Sequence, residues 1–248
     1  MHIKFITSTF SVFVLISGML LVGGVTGDVA AADASPDRSH RETRRSNSLD
    51  TASSAIPTAA QPAVTDDAQS TVRTGSSTGK AAAVAVATSN CEGCSGSSTA
   101  FQVVYFDGDT ATADNSAAAW SSCPSCTSSA VSVQLVVARK ASQLIVNNRA
   151  LALNVSCTSC TTTSAAIQFV ITGGTRRELS AQAKTMITQI QTELADRLRA
   201  APHPQGLQRS APQAKGLTDD TAERLAQIIL KDVGAATVQR NVDVQAGQ

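Results

Sequence analysis

The residues of this chain best placed to do chemistry are its six cysteines, and they fall in three CxxC pairs: Cys91/Cys94, Cys123/Cys126 and Cys157/Cys160. Such a pair supports a structural disulfide, thiol–disulfide exchange through a low-pKa thiolate or, two pairs together, a four-cysteine metal site. Each pair is followed by the same kind of apolar run, FQVV, VQLV and IQFV, and in each copy a glutamine stands eight residues after the second cysteine, at Gln102, Gln134 and Gln168. The copies are offset by 32 and then 34 residues. A period in that range is the signature of a repeat architecture.

Repetition favours the scaffold reading over the catalytic one. The copy Trp120-Ser121-Ser122-Cys123-Pro124-Ser125-Cys126 has the upstream tryptophan and internal proline of a thioredoxin-type site. Such sites place the thiolate at a helix N-terminus, whereas TSSAVSVQLVV after Cys126 reads as a strand and no βαβ pattern surrounds it. For metal, three pairs leave one over, and the spacer exceeds the usual ribbon interval. Disulfides are the expectation, with pairing inside each CxxC favoured and pairing between repeats left open. A four-residue ring is worth about 2 kcal/mol and a repeat-spanning loop about 4 kcal/mol in the loop-entropy treatment, so bridges inside the motif fix turns more than they tie the fold together.

Other chemistries lack their residues. The histidines are His2, His40 and His203, in the leader, a linker and an inter-helix segment, and no HExxH, GxSxG or phosphate-cradling GxxxxGK occurs. Acids in the repeat region are Glu92, Asp107, Asp109 and Asp114, and the aspartate stretch lacks the ligand ladder of a calcium loop, so it reads as a polar turn. The three glutamines are expected to satisfy neighbouring backbone groups rather than read a ligand. Asn154-Val155-Ser156 matches a glycosylation sequon. No catalytic, cofactor-binding or metal-binding residue is assigned, and no cofactor is expected.

The elements that must position the cysteines form an α+β chain: a small β-rich repeat domain of three strand–CxxC–strand units followed by two amphipathic helices. In the strand after each pair, Phe101, Val103 and Tyr105 share one face, matched by Val133, Leu135 and Val137 and by Ile167, Phe169 and Ile171. Gln102, Val104 and Phe106 share the other, so these strands are expected to be covered on both sides. Turns are placed at Asp107-Gly108-Asp109 and Asn147-Asn148. Leu179, Ala183, Met186, Ile187, Ile190, Leu194 and Leu198 mark the first helix, opened by a capping box at Thr175 to Glu178. Leu225, Ile228 and Ile229 mark the second, capped at Thr218 or Asp220 and closed by Gly234.

The expected division is therefore a signal peptide at 1–32, a disordered linker at 33–80, the CxxC domain at 81–174, helices at 175–200 and 218–234 with a linker at 201–217, and a disordered tail at 235–248. The leader is read from one lysine in MHIK, an uncharged apolar run from Phe5 to about Val25, and small residues before Ala31 or Ala32. Its run of about 20 apolar residues could also serve as an uncleaved anchor; cleavage leaves no stable membrane span and places the chain outside the cytoplasm. The net charge of +1 gives no basic footprint for nucleic acid.

The CxxC-x7-Q repeat, with an alternating strand before it and an amphipathic helix after it, resembles exported repeat proteins of actinobacteria that have no assigned function, some of which are named alongside peptide zinc metalloproteases. The resemblance spans about residues 81 to 200, and with no protease motif here it carries no catalytic role to any residue. The functional expectation is an exported, non-enzymatic scaffold that binds an unknown protein or envelope partner, with self-association through sheet edges open. The alternative is a redox or metal-handling protein using the CxxC pairs.

Overall fold

The computed structural model describes residues 2–5, 49–75, 78–138, 141–172, 178–199, 211–235 and 237–247. In chain order its elements are β1 (His2–Phe5), β2 (Leu49–Ala55), β3 (Ala63–Thr74), β4 (Thr78–Ser89), β5 (Ser95–Phe106), β6 (Thr110–Ser121), β7 (Thr127–Ala138), β8 (Gln143–Asn154), β9 (Thr161–Ile171), α1 (Ala181–Arg199), α2 (Ala211–Val233) and β10 (Gln239–Ala246). The strands form two five-stranded sheets in the orders β1-β8-β6-β4-β2 and β10-β9-β7-β5-β3. Strands β2 to β9 thus alternate between sheets and stack in parallel on the strand one repeat away, which makes a β-solenoid of four coils. Each coil is the strand–connection–strand unit expected from the sequence.

Register is unbroken from coil to coil: Phe101 pairs with Val133 and Gln102 with Gln134, and the next rung sets Ile167 and Gln168 beside them. Alternate residues of β5, β7 and β9 point to opposite sides as expected, and both sides are buried. The outward set, Phe101, Val103, Val133, Leu135, Ile167 and Phe169, packs beneath Ile187, Leu194 and Leu198 of α1 and Leu225 and Ile229 of α2. Each such side chain contributes about 1.5–3 kcal/mol on burial. Among the described residues, the helices therefore cover the second sheet and leave the first without one.

Between the sheets, side-chain size falls toward the CxxC end. Phe106, Val104, Val136, Leu144 and Val146 fill the far end, where Gly79 provides the room for the Phe106 ring: a Cβ there would stand 2.7 Å from it. Next comes an amide layer, then a layer of alanines from Ala85, Ala117, Ala130 and Ala166, then Ser89, Ser121 and Ser128 hydrogen-bonded to one another, and finally the cysteines.

The amide layer is a ladder. Gln168 Nε2 donates to Gln134 Oε1 and Gln134 Nε2 to Gln102 Oε1, both at 2.7 Å. The second protons go to carbonyls of the facing sheet, at Ala113 and Asp114, while Gln102 donates to Leu49 and Ala82. Asn115 answers from the facing sheet by donating to the carbonyls of Ser132 and Ile167. The glutamines thus bridge the two sheets through backbone groups.

Several boundaries differ from the sequence reading. Residues 49–74, expected as disordered linker, are β2 and β3 and form the first coil. Poverty in large apolar residues does not prevent this, because most of the buried side chains of this coil are small, here Ala55, Ser53 and Thr51, while Leu49, Val64 and Val72 pack partly buried against the neighbouring clusters. Its cross-over at Ile56–Pro62 lacks cysteines and is held by reciprocal Thr58–Gln61 backbone bonds of 3.1 and 3.0 Å. Asn147 and Asn148 are not a turn but the middle of β8, since Asn148 points inward and donates to the Ala166 carbonyl at 2.7 Å. The tail is not disordered throughout: β10 runs antiparallel along β9 from Gln239 to Ala246.

Ser180 caps α1, its hydroxyl accepting from the Ala183 N–H at 3.1 Å; Thr175, the expected opening of the capping box, lies outside the described residues. The helix is docked from below by Tyr105, whose hydroxyl oxygen accepts the Leu179 N–H at 2.8 Å and whose pKa burial pushes above the ordinary phenol value. Helix α2 begins at Ala211 rather than Thr218, within the segment expected as linker; Thr218 is buried inside it with its hydroxyl donated to the Ala214 carbonyl. Gly234 closes α2 as expected, with φ of 63° and its N–H on the Leu230 carbonyl.

The ladder predicts a graded cost. Gln134→Leu strands the Gln102 Oε1 and the Asp114 carbonyl, and should lower unfolding free energy by about 3 kcal/mol. Gln168→Leu should cost less, because Gln168 Oε1 already has no partner. Denaturant titration of the two variants checks the order; equal losses would show that the ladder does not act as a chain.

Candidate functional site

Each CxxC pair is the cross-over from the first sheet to the second, and each makes the same tight turn. The third residue of the motif has a positive φ in every copy: 67° at Gly93, 55° at Ser125 and 59° at Ser159. Only the first copy uses glycine, the residue that adopts this conformation without strain. In that copy the Cys94 N–H closes the turn on the Cys91 carbonyl at 2.9 Å. The turns also bond to each other: the Gly93 N–H donates to the Pro124 carbonyl at 3.1 Å and the Ser125 N–H to the Thr158 carbonyl at 2.9 Å.

This geometry settles which cysteines meet. Cys91 faces Cys94, Cys123 faces Cys126 and Cys157 faces Cys160, at Cα separations of 5.3, 5.6 and 5.9 Å, all inside the disulfide range. The three pairs pack as one column. Cys126 Sγ lies 3.0 Å from the Cys91 carbonyl oxygen, and Cys160 Sγ lies 2.8 Å from that of Cys123.

The copy that most resembles a redox centre in sequence is the least accessible. Cys123 is 4% exposed and Cys126 fully buried, while Cys91 and Cys157 at the two ends of the column are partly open. Strand β7 begins immediately after Cys126, so among the described residues the motif is followed by a strand and not by the helix N-terminus that lowers a thiol pKa. Trp120, in β6, turns its side chain outward, away from the column.

The other sequence candidates are dispersed. Asp107 pairs with Arg73 at 3.4 Å, and Asp114, on the outer face of β6, accepts from Asn147. His2 lies in β1, and His40 and His203 fall outside the described residues. The Asn154 amide nitrogen is enclosed, with its oxygen accepting from Thr162 and Gly247 packed over it, so the sequon is closed to a glycosyl donor in the folded chain.

The outer surface carries a further feature that no motif announces. On the sheet opposite α1 and α2, outward positions of β8 carry Leu151 and Leu153, 42% and 45% exposed, and Leu153 is paired across the sheet with Trp120, 42% exposed. Val155 stands just beyond the strand, 45% exposed. Val86 and Ala118 continue the Leu151 row across β4 and β6. The signal lies in the alternation of LALNV, where both registers of a half-buried strand carry apolar residues. A second opening, a cleft of about 250 Å³ between α1 and α2, is lined by Met186, Ile228 and Lys231. Comparison with protein-family models, curated proteins and solved structures returns no match.

Differential accessibility gives a direct prediction. Under limiting reductant with trapping by alkylation, Cys91–Cys94 and Cys157–Cys160 should open before Cys123–Cys126, as read by mass of the labelled peptides. A central pair that reacts first would overturn the structural assignment and restore the exchange reading.

Proposed function

We propose that this protein is an exported, non-enzymatic binding scaffold: a disulfide-braced solenoid that presents the sheet opposite its two C-terminal helices to a protein partner outside the cytoplasm. The observation that carries this reading is the asymmetry of the two sheets. Two helices bury the outer face of one, while the other leaves Trp120, Leu151, Leu153 and Val155 clustered and open beside the disulfide column. An aromatic anchor among aliphatic neighbours is the composition of an interface centre rather than of a solvated sheet. Polar and charged residues border it, with Arg149 and Ser116 on the next row.

Export agrees with the cysteine usage, since disulfides persist in oxidising compartments. It also agrees with the leader read in residues 1–32. Redox or metal-handling activity is the weaker alternative, because the column uses its sulfurs on each other and buries the central pair.

The reading is tested in cells that make the protein. A photo-crosslinking side chain at Leu151 should yield a discrete adduct, and one at the exposed helix position Gln227 should not. Trp120→Ser with Leu153→Ser should abolish the adduct while changing stability by no more than about 0.5 kcal/mol, as surface substitutions do. Equal adducts from both positions, or adducts indifferent to the double substitution, would contradict the proposal. The N-terminal residue of the exported chain should lie near Ala31 or Ala32; an intact Met1 would refute the cleaved leader.

A further inference from the structure

A solenoid has open ends, and sheet edges at both ends of this one carry protection against pairing. At the first coil, Asp66 of β3 reaches across to take the Ser54 N–H of β2 at 2.6 Å, and β3 itself carries Asp66, Asp67 and Arg73 along its length. At the last coil, β10 lies along β9 and is itself charged and polar, with Arg240 and Asp243. Asp243 also accepts the outward N–H of Ala150 on β8, at 2.8 Å.

The remaining stretch of β8 is protected differently. Gln143 to Val146 pair in parallel register with His2 to Phe5, so the strand that covers this edge is β1. Those residues belong to the segment read as a cleaved leader. Removing them would leave the N–H and C=O groups of this edge unpaired, beside Leu144 and Val146, which are each 1% exposed and close the layer of largest interior side chains.

We propose that loss of the leader turns Gln143–Val146 into an acceptor for one extended strand from a protein partner, running parallel to β8 and carrying bulky apolar residues at alternate positions to match Leu144 and Val146. The mode is strand addition: main-chain bonds supply affinity and alternate side chains supply selection. Among the described residues, the edge offered is that of a single strand, β8. Stacking of a second copy end-on would need the edges of β8 and β9 together, and β10 fills that of β9 from Thr163 to Val170. Asp243 at Ala150 sets the far limit of the acceptor, so the incoming segment is short.

The biological trigger rests on the leader reading, whereas the edge itself can be tested in the full chain, so the two can fail separately. Ile3→Pro with Lys4→Pro removes N–H donors on both sides of β1 and should release it from β8. The probe is a fluorescent synthetic peptide with the sequence of residues 2–8. The variant should bind it saturably and at least ~10-fold more tightly than the unaltered full chain, the equivalent of losing one or two competing ladder bonds. Hydrogen exchange at Leu144 and Val146 should be slow in the full chain, fast in the variant and slow again with peptide.

Equal binding by both chains would overturn the proposal, as would fast exchange in the variant that peptide fails to slow. So would a variant that dimerises and excludes the peptide, which would assign the edge to self-association. Retention of Met1 on the exported protein would remove the trigger while leaving the peptide result standing.

Discussion

Everything in this molecule depends on register between coils. The same side chain recurs at the same height in each coil, so one residue of slip would move glutamines into the helix-covered face and send Phe101, Val133 and Ile167 into the interior. Backbone pairing alone does not forbid such a slip, because parallel ladders are uniform along their length. The interior layers forbid it. The amide ladder joins coil to coil and sheet to sheet, and the CxxC turns add backbone bonds between successive cross-overs. The disulfides act within this arrangement as local locks on turns that two of the three copies build with serine in a left-handed conformation.

Interior size grading arises from the same constraint. Alanine and serine layers beside the cysteines let the two sheets approach, while Phe106, Leu144 and their neighbours hold the other end. A core of this kind is apolar by shape more than by residue size, and the α1/α2 layer supplies the larger burial on one side only. The uncovered side is where the binding surface is proposed. Its apolar residues sit at the last two coils, next to the end where Asp243 and β10 close off the stack.

The cysteine and glutamine spacing discloses the repeat, and the apolar pattern discloses its strand–turn–strand form, the two faces of the strands after each CxxC and the amphipathic helices. Layer geometry stays hidden in the sequence. The first coil reads as linker because AVTDDAQSTVRT and LDTASSA are poor in large apolar residues, and the alanine and serine layers explain why a coil needs few beyond Leu49, Val64 and Val72. Strand β10 is silent because QRNVDVQA is polar at most positions; its stability comes from an antiparallel partner rather than from its own pattern. Asn147-Asn148 imitates a turn because asparagine is favoured in turns and equally useful in a buried amide layer. Along the chain the neighbour of Trp120 that suggests chemistry is Cys123, although its lateral neighbour in the sheet is Leu153.

Disulfide connectivity is the most direct measure of the coil-by-coil account, since pairing inside each motif requires all three cross-overs to make the same turn. Proteolysis of the unreduced exported protein and mass spectrometry of the linked peptides should give Cys91–Cys94, Cys123–Cys126 and Cys157–Cys160 and nothing else. A bridge between motifs, such as Cys94 to Cys123, would contradict it, because the stacked turns could not then keep their common register.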